Sequence, residues 1–152
     1  GTYTISADVN KIIAFVAGSG GEGANDDENE GGGNGGDTTL AFDSTTVTGN
    51  GGYGGKIGLY SLDKPTFSHG SASGGFLNLK GQGAAGAPGV VPEPSENNVA
   101  HGTAGGNGGL AIYFGAVTPG TILTNTIGAG GAIGPISGRF GEDGYIILVE
   151  LN

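Results

Sequence analysis

Glycine recurs at every third residue in several stretches of this chain, and that spacing limits the available folds more than any other feature. The runs are Gly49, Gly52, Gly55 and Gly58; Gly83, Gly86 and Gly89; Gly102, Gly105 and Gly108; Gly128, Gly131 and Gly134; and Gly138, Gly141 and Gly144. A polyproline II helix turns once in three residues, so such glycines align along one edge, where neighbouring backbones can approach and hydrogen-bond. Glycine supplies 37 of 152 residues, so chance also produces spacings of three. Packed polyproline II segments and ordinary Gly-rich loops therefore both stay open. Collagen is excluded, because Gly83 to Gly89 sustains only two triplets. A flexible linker is excluded by the aliphatic segments at both ends. Ordering each Gly costs roughly 0.5–1 kcal/mol more than ordering an Ala. Burial against other chains would offset that, so oligomerisation is expected.

Helix is disfavoured, since no window keeps an apolar i, i+3, i+4 stripe over three turns without a Gly interruption. Segments rich in Ile, Val, Thr and aromatics predict strands over residues 3–6, Lys11–Ala17, 38–44, 57–62, 76–79, Leu110–Ala116, 122–127 and 145–150. The second and the last are apolar on both faces, the pattern of buried central strands. Thr118-Pro119-Gly120-Thr121 has the chemistry of a type II turn and predicts a hairpin joining the strands on either side. Gly-Asn-Gly-Gly recurs at 33–36, 49–52 and 106–109, a weak internal repeat. The fold class expected is all-β: a sandwich-like set of antiparallel strands with long Gly-rich loops or packed polyproline II segments, forming one domain over residues 1–152.

Several functions are disfavoured. The net charge is −9, and only Lys11, Lys56, Lys64, Lys80 and Arg139 are cationic, so nucleic acid is not an expected partner. The longest apolar runs fall far short of the ~18 residues of a membrane helix, so no membrane insertion is expected. There is no Cys. The acidic group Glu22, Asp26, Asp27, Glu28 and Glu30 lacks the order of an EF-hand loop and reads as a solvated loop. His69 and His101 match no metal-ligand spacing. In the stretch from Gly70 to Gly74, Ala72 occupies the nucleophile position of a hydrolase elbow. Around Lys56, Asn50 and Ile57 break the phosphate-loop pattern. No metal, no cofactor and no catalytic residue is assigned.

Three stretches carry a family likeness. The chain opens with Tyr3-Thr4-Ile5-Ser6-Ala7-Asp8-Val9-Asn10-Lys11-Ile12, then Phe15-Val16-Ala17-Gly18-Ser19-Gly20-Gly21. It continues through Ala116-Val117-Thr118-Pro119-Gly120 to Thr126-Ile127-Gly128-Ala129-Gly130-Gly131, and closes with Gly141-Glu142-Asp143-Gly144-Tyr145-Ile146-Ile147. Together these resemble the glycine-rich domain at the C-termini of bacteriophage tail-fibre proteins, over both ends and about half of the chain. The acidic residues 25–30 and the stretch 80–101 depart from that pattern. The resemblance implies the C-terminal fragment of a longer, homotrimeric fibre protein. Its place would be the distal tail fibre of the virion, recognising a bacterial outer-membrane protein or polysaccharide.

On that reading, Tyr53, Tyr60 and Phe67, set among Gly and polar residues, are the expected receptor face, with His69 and His101 beside them. The alternative for each aromatic is a plug between thin Gly segments. The expected function is non-catalytic adhesion. A structural or trimerisation cap without a ligand is the alternative, as are a surface-glycan depolymerase using Asp43, Asp63, Glu142 or Asp143 and ice binding by flat polyproline II faces.

Overall fold

The computed structural model describes residues 1–24, 31–59, 68–88, 100–132 and 140–152. These residues form an all-β protein with no helix among them. Eleven strands are present: β1 (Thr2–Thr4), β2 (Lys11–Ala17), β3 (Thr38–Phe42), β4 (Thr45–Gly49), β5 (Ile57–Leu59), β6 (Ala72–Ser73), β7 (Leu77–Leu79), β8 (Ala100–Gly102), β9 (Leu110–Ala116), β10 (Ile122–Thr126) and β11 (Tyr145–Leu151). Two antiparallel sheets carry most of them, a five-stranded one in the order β1-β10-β3-β4-β6 and a four-stranded one in the order β11-β2-β9-β7. Their facing sides share one aliphatic core. It joins Ile12, Ala14 and Val16 of β2 and Ala111 of β9 to Leu40 and Phe42 of β3, Val47 of β4 and Leu123 of β10. Phe42 meets Tyr113 edge to face, with ring centroids 5.1 Å apart, the arrangement that aromatic quadrupoles favour.

The strands β2 and β9 have their predicted bounds. The strand β4 was not anticipated. It forms because Asp43 takes φ 49°, a left-handed conformation that Asp tolerates, and folds the chain back so that Phe42 pairs with Thr45. Two expectations are corrected. The turn at Thr118 to Thr121 forms as predicted, with Gly120 at φ 77° and the Thr121 N–H donating to the Thr118 carbonyl, but it does not make a hairpin. It carries the chain from one sheet to the other, because β9 pairs with β2 and β7 while β10 pairs with β1 and β3. The last strand is not central either. It is the edge of the four-stranded sheet, and Tyr145, Ile147 and Val149 remain exposed.

The Gly-rich tracts leave the sheets and pack on one another. Residues 18–24, following β2, are buried throughout and form the axis of a bundle. The N–H groups of Gly18, Gly21 and Ala24 donate to the carbonyls of Gly109, Gly106 and Thr103, while those of Ser19 and Glu22 donate to Gly36 and Gly33. The Gly18 and Gly21 carbonyls accept from Ala84 and Ala87, and those of Ser19 and Glu22 from Gly52 and Gly55. Gly20 donates to Glu142 and accepts from Gly131. Six tracts thus supply partners to residues 18–24, and in the four that bond more than once the partner changes by three positions for each three residues along the axis. That repeat, with no positive φ among the axial glycines, has the three-residue period of a polyproline II helix. The outer tracts keep the same period in burial: Gly52 and Gly55, Gly128 and Gly131, and Gly141 and Gly144 face inward.

Glycine is obligatory at the closest approaches. A methyl group on Gly20 would fall on the Ala85 carbonyl, and one on Gly52 on the Gly106 carbonyl. The tracts consequently pack backbone to backbone, and their peptide groups bond to other tracts in place of water.

Candidate functional site

The three-residue period sets which side chains the bundle displays. With small residues turned inward, a larger side chain at every third position points out, and successive ones stand about 9 Å apart along a tract. Three neighbouring tracts do this side by side. The tract 31–36 bonds to 50–55 through Gly32 to Gly55 and Gly35 to Gly52, and 50–53 bonds to 68–71 through Tyr53 to Ser68 and Asn50 to Ser71. Their displayed pairs are Asn34 and Asp37, Asn50 and Tyr53, and Ser68 and Ser71. These line a groove of about 570 Å³, bordered by His69 and Lys80.

The groove wall is held by its own hydrogen bonds. Asp37 Oδ1 accepts from the Gly51 N–H at 2.9 Å, and Asn34 Oδ1 accepts from the Gly54 N–H at 2.9 Å. The Ser71 hydroxyl donates to Asn50 Oδ1 at 2.9 Å. His69 Nδ1 accepts from the Asn107 N–H at 3.1 Å, which places the proton of the neutral imidazole on Nε2. Tyr53 is fixed through its main chain, donating to Ser68 and accepting from Gly106, while its ring is 55% exposed. The surface therefore offers carboxylate and carboxamide groups, hydroxyls, one cation and one exposed aromatic face on a backbone that cannot shift independently.

Of the five residues expected at a receptor face, the structure brings Tyr53 and His69 to this groove. Tyr60 and Phe67 lie outside the described residues. His101 enters by its backbone, in β8 opposite Gly58. Nothing in the sequence marked Asn34, Asp37, Asn50, Ser68 or Ser71 as a binding residue. Their signal was the shared offset of three, which alone identifies one displayed face.

Glu22 departs from its expected solvated loop. It is 4% exposed and its Oε2 accepts from the Gly33 N–H at 3.0 Å. Asp26, Asp27, Glu28 and Glu30 lie outside the described residues. Of the carboxylates named for a depolymerase, Asp143 accepts from the Gly130 N–H at 2.8 Å and Glu142 from the Ala85 N–H at 3.4 Å, Asp43 sits in the β3–β4 turn, and Asp63 lies outside the described residues. No group of three or more His, Asp or Glu side chains suited to a metal ion occurs among the described residues.

Comparison with known proteins adds no relative: no protein-family model, no curated protein and no solved structure matches this chain.

Proposed function

We propose that this chain is the receptor-binding tip of a bacteriophage tail fibre, and that it holds a bacterial surface polysaccharide, without cleaving it, in the groove of Tyr53 and His69. The observation that carries this reading is the paired display, at i and i+3, of polar side chains from three adjacent tracts around one exposed aromatic ring. Sugars are bound by such sets: planar acceptors and donors take the hydroxyls, and a ring face takes the apolar side of a pyranose. A repeat of about 9 Å along a tract is comparable to one disaccharide, so successive side chains can meet successive repeats of a polymer. The wall is preorganised, because tracts 31–36 and 50–55 are bonded to the bundle axis and 68–71 is bonded to 50–53, and little conformational freedom is lost on binding.

The test is adsorption. Soluble protein should coat host cells and compete with phage for them, and Tyr53→Ala should weaken binding to the purified surface polysaccharide roughly tenfold or more. Absence of both coating and competition would reject the adhesin. Release of reducing ends from the polysaccharide would replace it with a depolymerase.

A further inference from the structure

The outer faces of the two sheets differ in kind. On the five-stranded sheet the cross-strand rows are mostly threonine: Thr2 pairs with Thr124, Thr124 with Ala41 and Ala41 with Thr46, and in the next row Thr126 pairs with Thr39 and Thr39 with Thr48. That face is dressed for water. On the four-stranded sheet the rows are apolar from edge to edge. Ile147 pairs with Phe15, Phe15 with Ile112 and Ile112 with Leu77. Val149 pairs with Ile13 and Ile13 with Phe114, and Tyr145, Ala17, Leu110 and Leu79 complete a third row. The residues between these, among them Ile12, Ala14, Val16 and Ala111, face the core, so all three rows face away from it.

We propose that this face packs against the same face of a second copy of the chain, about a two-fold axis. Phe114 is 55% exposed, Ile147 52%, Leu77 43%, Tyr145 42% and Val149 40%. With their half-buried neighbours they form one apolar surface of several hundred Å², on the order of the ~300–600 Å² of the largest, often functional, patch on a monomer and of the ~800 Å² that each partner contributes to a standard stable interface. The charge pattern fits a like partner: no carboxylate stands in the three rows, and Lys11 stands at their rim, opposite Leu151 and Ala116. This pairing does not rest on the proposed function and replaces the three-fold association that the tail-fibre resemblance implies: one continuous patch can meet its own copy about a two-fold axis, whereas a ring of three needs two different surfaces.

The experiment is sedimentation of the intact chain across micromolar concentrations, with Phe114→Lys and Ile147→Lys beside it. The expected result is a reversible dimer whose dissociation constant rises tenfold or more in each variant, roughly. Both variants should keep the far-ultraviolet spectrum and thermal midpoint of their own monomer state, since the substituted positions are exposed. As a control, Thr46→Lys on the opposite sheet should leave the dimer intact. A monomer throughout, a trimer, or a dimer indifferent to both lysines would overturn the proposal.

Discussion

The Glu150 carboxylate, in the last strand, accepts from the Ser6 backbone N–H at 3.0 Å and from the Ser6 hydroxyl at 2.7 Å, tying together the two ends of the chain. The two Ser6 donors hold the Glu150 carboxyl below its ordinary value. The same carboxylate takes the Tyr3 hydroxyl at 3.2 Å and raises that phenol above its ordinary value.

The signs of these shifts define a first prediction. A carboxyl lowered in the folded state contributes stability that is present above its unfolded value and lost as pH falls through the folded value. The thermal midpoint should therefore fall on acidification through the carboxylate range, and Glu150→Gln should flatten that part of the profile. The raised phenol contributes stability that is present below its unfolded value and lost as pH rises through the folded one, so Tyr3→Phe should flatten the alkaline limb. Unfolding curves against pH for the two variants check both signs. Both groups are solvent-exposed, so the effects should be small.

Glycines of the bundle and of the turn should respond differently. Gly20→Ala places a methyl on the Ala85 carbonyl at the bundle axis, and the main chains there have no room to part. The expected loss is about 3 kcal/mol or failure to fold. Gly120→Ala meets open space and suffers only its φ of 77°, a cost of about 1 kcal/mol that Gly120→Asn should largely recover. Denaturant titrations of the three variants make the comparison.

Thr38 sits where the sheets end and the bundle begins. It is fully buried, and its Oγ1 accepts from the Gly128 N–H at 3.1 Å. Thr38→Val keeps the shape but orphans that N–H, and should cost about 1–3 kcal/mol. Thr38→Ser keeps the acceptor and should cost less. The difference between the two, measured by chemical denaturation, isolates the hydrogen bond from the packing.

In the groove, Asp37→Ala removes the acceptor for the Gly51 N–H at an exposed site, so stability should change by less than about 1 kcal/mol. On the proposed function, polysaccharide affinity should fall more than stability does. Calorimetric titration beside a melting curve separates the two effects.

Much of this architecture was legible in the residues. The strands β2 and β9 announce themselves by unbroken aliphatic and aromatic runs, and the glycine spacing of three contained the bundle. What the spacing alone could not give was the partner of each tract, because a backbone-to-backbone contact leaves no side-chain pattern to read. The strand β4 was hidden because Thr45–Gly49 has a single aliphatic, Val47, and its partner is fixed by one left-handed Asp. The place of β11 was misread because an apolar face prepared for burial looks the same whether or not the monomer itself covers it. Tyr53 stood out as a ring among glycines. The polar residues beside it did not, since Asn, Ser and Asp are ordinary in any connection.

The axial tract holds a consequence for how the molecule comes apart. The hydrogen bonds of residues 18–24 described above run to segments remote in the chain, and a polyproline II segment has none of its own to fall back on. None of the six tracts bonded to the axis can leave without stripping donors or acceptors from it, so the bundle has no stable half-dismantled form. The amides of Gly18, Gly21 and Ala24 should then exchange with deuterium only when the whole protein opens, making a glycine-rich tract the slowest part of the chain to yield.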